Sequence, residues 1–172
     1  MPEFLPVLKK DDINRMVVTV AHKISSDYKD KELILIGVLK GAFIFLSDLI
    51  RNLSIPVKVD FVGVSSYGNK TSSSGNIQLT KSLEIDIKRK NVLVVEDIID
   101  SGLTLAWLID YLMSFKPETV KACALLDKRE RRKTQVQIEY TCHVVQEGFL
   151  VGYGLDYRED YRNLPEIYHL KL

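Results

Sequence analysis

Apolar positions follow a helical rhythm early in the chain and a different one afterwards. Ile13, Met16, Val17, Val20, Ala21 and Ile24 share one face of a 3.6-residue helix. Asp11 or Asp12 suits its start, because a short carboxylate accepts the free amides of a first turn. From Leu33 to Leu39 apolar residues occupy both parities, as in a strand covered on both faces of a parallel sheet. Lys40-Gly41 interrupts this run. Ala42 to Leu53 reads as a helix with Phe43, Leu46, Leu49, Ile50 and Leu53 inward, and Pro56 closes the connection. Val57 to Val64 alternates as a strand, Leu79 to Ile87 alternates weakly as a returning one, and Asn91 to Val95 is buried on both faces. Leu105, Leu108, Ile109 and Leu112 mark a helix, and Val120 to Leu126 a further strand. Strands alternating with helices predict an α/β fold with a mostly parallel central sheet, flanking helices and right-handed crossovers.

Between two well-patterned strands lies Ser65 to Asn76, SSYGNKTSSSGN, in which Tyr67 is almost the sole apolar residue. A polar, glycine-containing loop of that length reads as a mobile lid. No internal repeat and no linker divides the 172 residues, so a single domain is expected.

Composition narrows the function classes. The chain is 46% apolar and 27% charged, which excludes general disorder. With 24 Lys+Arg against 23 Asp+Glu, the net charge of +1 gives no basic excess for nucleic acid. No apolar run approaches the roughly 20 residues of a membrane span. The N-terminal MPEFLPVLKKDD has no charged-then-apolar leader, so no secretion signal is expected. Cys123 and Cys142 are too few for a disulfide framework and lack metal-type spacing. A reducing cytoplasm with free thiols, and a buried, inert Cys123, are expected.

The chemistry concentrates in Val92 to Thr104, VLVVEDIIDSGLT. A buried strand ends in Glu96 and Asp97; Asp100 follows, then a small-residue turn, then a helix. Ligands of open α/β sheets bind just beyond the C-terminal strand ends. A helix starting there offers bare N–H groups to an anion, and Ser101, Gly102 and Thr104 are small enough to let a phosphate approach. Three carboxylates beside a phosphate would repel it unless they bind sugar hydroxyls or hold Mg²⁺. The run therefore points to a ligand with a ribose, a phosphate and magnesium. It is not a P-loop, since GxxxxGK[ST] is absent, and Gly152-Tyr153-Gly154 is not a dinucleotide fingerprint. The plain alternative is a helix cap, Asp100 or Ser101 capping and the other acids solvated.

The run VVEDIIDSGLTL resembles the phosphoribosyl-diphosphate signature of type I phosphoribosyltransferases, and several further pieces resemble their 6-oxopurine branch, bacterial type. Leu39-Lys40-Gly41 is similar to the first loop, which receives pyrophosphate, and Ser66-Tyr67 to the opening of the catalytic flap, about 65–78. Leu125 to Arg129 resembles the base-binding strand end. Phe149 to Tyr157 resembles the purine-binding hood, with Arg162 at the family spacing. The resemblance spans nearly the whole chain. It implies a core of about 30–130 and a hood built from the N-terminal segment and about 131–172.

What the resemblance implies residue by residue is specific. Glu96 and Asp97 bind the ribose hydroxyls, directly or through Mg²⁺; Asp100, Ser101, Gly102, Leu103 and Thr104 bind the phosphoribosyl group, the last four through its 5′-phosphate. Asp100 lies near the purine N7 as general base. Lys40, Gly41, Ser66, Tyr67 and Arg162 serve pyrophosphate, with a cis peptide expected at Leu39-Lys40 or Lys40-Gly41. Lys128 donates to the purine O6, Phe149 stacks on the ring, Leu150 offers backbone groups to the base edge, and Asp156 lies near the base and a second magnesium. Arg132 supports the pyrophosphate loop. Trp107, Tyr111 and Phe115 are assigned to helix packing or subunit contacts. Taken singly, Lys128 in its basic run, Asp156 and Arg162 would read as solvated surface charges. The implied activity transfers 5-phosphoribosyl from its diphosphate to hypoxanthine and/or guanine, giving IMP or GMP and pyrophosphate, in a cytoplasmic homodimer or homotetramer. Leu103, Ser65, Arg129 and Leu150 depart from residues frequent in the family, which bears on the ranking of hypoxanthine, guanine and xanthine.

Two other classes compete. Some proteins of this fold are nucleotide-sensing regulators of RNA or DNA, but those carry an extra domain or an altered site, and this chain shows neither. An enzyme for adenine or a pyrimidine is disfavoured by Lys128 together with Phe149 and Asp156.

Overall fold

In a computed structural model, residues 1–67 and 76–172 are described. The period of two in the apolar runs explains how the sheet is covered. Leu33 and Leu35 of β2 (Leu33–Leu39), with Leu93 and Val95 of β5 (Asn91–Ile99), point into one core. That core holds Ile13, Val17 and Ile24 of α1 (Lys10–Asp27) and Phe45, Leu46 and Leu49 of α2 (Phe43–Asn52). Ile34, Ile36, Val92 and Val94 point the other way, onto Leu105, Leu108 and Leu112 of α3 (Leu103–Met113). Successive side chains on opposite faces need helices on both, which is the reason for two cores.

The larger sheet adds β3 (Val57–Tyr67), β4 (Asn76–Lys81), β6 (Thr119–Lys128) and β7 (Tyr140–Val145), in the order β4-β3-β2-β5-β6-β7. All its pairs are parallel except the β3–β4 hairpin. A second, antiparallel sheet joins the two ends of the chain: β1 (Glu3–Leu8) pairs with β9 (Ile167–Lys171), which pairs with β8 (Leu150–Val151). This is the α/β architecture expected, a mostly parallel sheet with flanking helices and a small hood sheet. Among the described residues no helix is long and apolar enough to cross a membrane. Both cysteines are free, and burial pushes the Cys123 thiol far above its ordinary pKa.

Several expected boundaries move. α1 begins at Lys10, and Asp12 acts from inside the first turn, its carboxylate accepting the Lys9 N–H at 3.1 Å. Phe43 is exposed and Phe45 takes the inward place, because the buried stripe of α2 follows Ala42, Phe45, Leu46 and Leu49, an i, i+3, i+4, i+7 spacing that leaves Phe43 off the face. The returning strand is Asn76–Lys81, not Leu79 to Ile87. Beyond it the alternation of Leu83, Ile85 and Ile87 serves packing onto the α3 core, while the backbone bonds to a side chain. Asp60, 8% exposed, accepts the N–H of Glu84 at 2.7 Å, of Ile85 at 2.9 Å and of Phe61 at 2.7 Å, with Lys81 Nζ at 3.4 Å. Most of the expected lid, residues 68–75, lies outside the described residues.

Burial alone would raise the Asp60 pKa, but the three amides and Lys81 outweigh it and hold the carboxyl below its ordinary value. A lowered folded-state pKa contributes stability that is complete above the unfolded value and lost as pH falls through the folded one. Asp60→Asn is expected to cost about 1–3 kcal/mol at neutral pH. In urea melts the gap to wild type should narrow as pH drops below about 4; a gap independent of pH would assign the loss to shape.

Candidate active site

The crevice opens where two neighbouring strands part. β2 and β5 pair in register from Leu33↔Asn91 to Gly37↔Val95 and no further. β5 continues beside β6 alone, with Glu96↔Ala124, Ile98↔Leu126 and Ile99↔Asp127. Glu96 and Asp97 thus lie within the strand rather than after it, at the parting. Chain order also reverses here, since β2 leads to β3 on one side and β5 to β6 on the other. Such a switch point is where open α/β sheets bind ligands. The Lys40-Gly41 turn fills the mouth; its cis peptide is Leu39-Lys40. A Cβ at Gly41 would sit 1.8 Å from Asp97 Oδ2, so only glycine lets the turn pass so close.

Glu96 is 7% exposed, and burial together with Asp97 pushes its carboxyl well above the ordinary range. Asp97 is raised as well, mainly by burial, with relief from the Ile98 N–H at 2.8 Å and from Arg162. Two adjacent, desolvated carboxylates resisting ionisation suit a hard cation with oxygen ligands, and so fit Mg²⁺. Among the described residues no three His, Cys, Asp or Glu side chains gather into one metal cluster. Asp156 is not in one group with Glu96 and Asp97; it pairs with Arg162 at 3.1 Å. An ion at Glu96 and Asp97 would complete its shell from substrate oxygens and water, as Mg²⁺ commonly does.

The turn after β5 is pinned from behind. Arg132 donates from Nε to the Asp100 carbonyl at 2.9 Å and from Nη2 to the carbonyls of Ile99 and Lys128 at 3.3 and 3.2 Å. It is also ion-paired with the buried Asp127. Arg132 therefore braces the turn after β5, whereas the sequence reading gave it to the pyrophosphate loop. The Ser101 carbonyl accepts the N–H of Lys133 at 2.9 Å and of Thr134 at 3.3 Å. Gly102, at φ +82°, turns the chain into α3 in a conformation open to glycine. Ser101 Oγ accepts the Leu103 N–H at 3.2 Å, so this amide is occupied while the serine O–H proton remains free to donate. Asp100 Oδ1 is buried with no hydrogen-bond partner among the described residues. Its Oδ2 lies 3.9 Å from Lys128 Nζ. Lys128 is 5% exposed, between Asp100 and Glu130, whose carboxylate is 3.8 Å away. It is therefore no solvated lysine, although neighbouring Arg129 and Arg131 are exposed.

The hood closes the other side. Leu150 is buried on β8, and Phe149 is 48% exposed with its ring edge-on to Tyr157 at 5.6 Å. Arg162 Nη1 donates to the Gly154 carbonyl at 2.8 Å. A Cβ at Gly154 would meet the Gly41 carbonyl oxygen at 2.2 Å, so the hood touches the β2 turn backbone to backbone. Lys40 Nζ reaches across to Glu159 at 2.6 Å. Ser66 and Tyr67 pair through their backbones with Ile77 and Asn76 at the rim. Three participants were missed in the sequence. Glu159 stood in a charged stretch and Gly154 inside a quoted motif, and their partners Lys40 and Gly41 are remote along the chain; Asp127 was passed over although its partners Arg129 and Arg132 are close in sequence.

A carboxylate pair, a pinned turn and a lysine-bearing strand end gather around one sheet crevice of an α/β fold. The phosphoribosyl transferase domain family matches residues 8–158. The hypoxanthine-guanine phosphoribosyltransferase of Aquifex aeolicus is 48% identical over 94% of this chain and 92% of its own length. That of Bacillus subtilis is 41% identical over 96% and 92%. A crystal structure of a hypoxanthine-guanine phosphoribosyltransferase from Bacillus anthracis superposes with a TM-score of 0.92 at 41% identity, covering 99% of this chain and 100% of that one. The chain belongs to the phosphoribosyltransferase family and, within it, to the hypoxanthine-guanine enzymes of purine salvage.

Gly41→Ala forces the β2 turn away from Asp97. Displacements of about 1 Å at a reacting site cost roughly 100-fold in rate. The variant is expected to lose at least about that factor in kcat/KM, with an unfolding transition close to wild type by circular dichroism; full activity would detach the turn from the site.

Proposed function

We propose that the crevice between β2 and β5 carries out this transfer with the following division of labour. Glu96 and Asp97 hold the ribose. Ser101, Gly102, Leu103 and Thr104 surround the 5′-phosphate, using hydroxyls and the amides at the start of α3, that of Leu103 once Ser101 Oγ turns from it to the phosphate. Lys40, Gly41, Ser66, Tyr67 and Arg162 receive pyrophosphate. Phe149 supplies a flat apolar face to the purine, with Leu150 and Asp156 at the base edge. The observation that carries this reading is the pairing of Asp100 with Lys128. A carboxylate with one unpartnered buried oxygen and a buried ammonium sit side by side, where a 6-oxopurine offers N7 and O6.

The purine N9 lone pair forms a bond to C1′ as the C1′–O bond to pyrophosphate breaks, through a cationic sugar. The N7 proton passes to Asp100, whose carboxylate also steadies the developing charge. Lys128 donates to O6, a contact that an amino group at that position cannot accept. Glu96 and Asp97 would hold Mg²⁺, and Asp156 would lie beside a second ion; bound there, the metal would supply charge neutralisation for the departing pyrophosphate. We place the enzyme in the cytoplasm as a homodimer or homotetramer, on the strength of the family resemblance, with a core of about 30–130.

Asp100→Asn is expected to lower kcat roughly 10²- to 10⁴-fold while GMP binding, followed by calorimetry, stays near wild type. Turnover close to wild type would remove Asp100 as the base. An absorbance assay with phosphoribosyl diphosphate and Mg²⁺ should give product from hypoxanthine or guanine and none from adenine. Lys128→Ala should raise the purine KM about 10- to 100-fold, with a smaller effect on the sugar donor. The reverse order would take Lys128 out of the base pocket.

A further inference from the structure

Glu159 has no part in the division of labour above, yet it touches two of the cations assigned to pyrophosphate. Its Oε2 is 2.6 Å from Lys40 Nζ and its Oε1 is 3.2 Å from Arg162 Nη2. Lys40 follows β2 and Arg162 lies in the hood, so one carboxylate spans the same two groups that a bridging dianion would. Its backbone is built for that position. Arg158, Glu159 and Tyr161 have φ of +52°, +73° and +76°, a region uncommon for residues other than glycine. The Glu159 N–H donates to Asp156 Oδ2 at 2.9 Å, and Tyr157 and Asp160 exchange backbone bonds at 3.1 and 3.0 Å, which fix the turn.

We propose that Glu159 is a positioning residue that stands in for pyrophosphate, holding Lys40 and Arg162 in the ligand-free enzyme and yielding them when the diphosphate arrives. The proposal rests on the assignment of Lys40 and Arg162 to pyrophosphate. Arg162 also has Asp156 at 3.1 Å, whereas Glu159 is the carboxylate that Lys40 reaches among the described residues. The carboxylate keeps both in place and keeps the hood against the β2 turn. It also opposes retention of the product, since it competes for the same donors once transfer is complete. The Lys40–Glu159 pair is well exposed, with 66% and 64% of the side chains accessible, so it is easily displaced.

The test uses Glu159→Gln, which keeps size and removes charge, with Glu159→Ala as a second variant in case glutamine disturbs the turn. Pyrophosphate binding in the presence of Mg²⁺, measured by calorimetry, should tighten about two- to fivefold. The KM for phosphoribosyl diphosphate should fall by a similar factor, kcat should not rise, and GMP affinity should be unchanged. The gain should shrink at about 1 M salt, where charges are screened beyond roughly 3 Å. Glu159→Asp, which keeps the charge, should lie nearer wild type than glutamine does. Weaker or unchanged pyrophosphate binding in both Gln and Ala variants overturns the proposal. Lys40→Ala separates the two levels. If it weakens pyrophosphate while Glu159→Gln gains nothing, only the stand-in role falls. If Lys40→Ala leaves pyrophosphate binding intact, the assignment of the pyrophosphate site falls and takes the proposal with it.

Discussion

Two carboxylates forced together out of water, Glu96 and Asp97, set the terms for everything around them. They stand within β5 just past its last pair with β2, so the sheet itself carries them into the crevice. Burial makes their joint ionisation unfavourable. Such a pair is tolerated where a cation or a polyhydroxylated ligand is expected to complete it. The neighbouring groups answer that demand. Arg162 lends charge to Asp97, Ile98 lends an amide, and Gly41 gives up its side chain so that the β2 turn can approach.

Holding that turn is the second constraint, and the hood meets it. Gly154 packs on the Gly41 carbonyl, Arg162 ties the Gly154 carbonyl, and the Tyr153 hydroxyl bonds to Asp48 on α2. Lys40 and Glu159 add an ion pair across the same gap. On the opposite wall Arg132 gathers the carbonyls of Ile99, Asp100 and Lys128 onto one guanidinium neutralised by Asp127. The turn that would receive the 5′-phosphate is thus rigid before any ligand arrives, which lowers the ordering cost of binding.

Charge balance across the site explains why a protein of net charge +1 can handle a highly anionic substrate. The cations are few, and each already has a carboxylate: Lys40 and Arg162 have Glu159, Lys128 has Asp100 and Glu130, and Arg132 has Asp127. On the proposed division of labour, binding in such a site would exchange partners rather than add charge.

The unbroken apolar runs by themselves determined the two-faced parallel sheet, because a strand buried on both sides must be apolar at every position. The run from Val92 to Thr104 likewise placed the acids and the anion turn, since the residues that make them are adjacent in the chain. The hood sheet was less apparent: β8 has two residues, and β1 finds its partner only at the far end of the chain. Leu79 to Ile87 misled because packing and pairing use the same alternation; Asp60 decided between them from across the hairpin. Only the tertiary structure could show that Lys128 is buried, that Arg132 braces the turn after β5, and that Glu159 lies on Lys40. Each of these depends on a through-space distance between groups up to 119 residues apart, and no local pattern encodes such a distance.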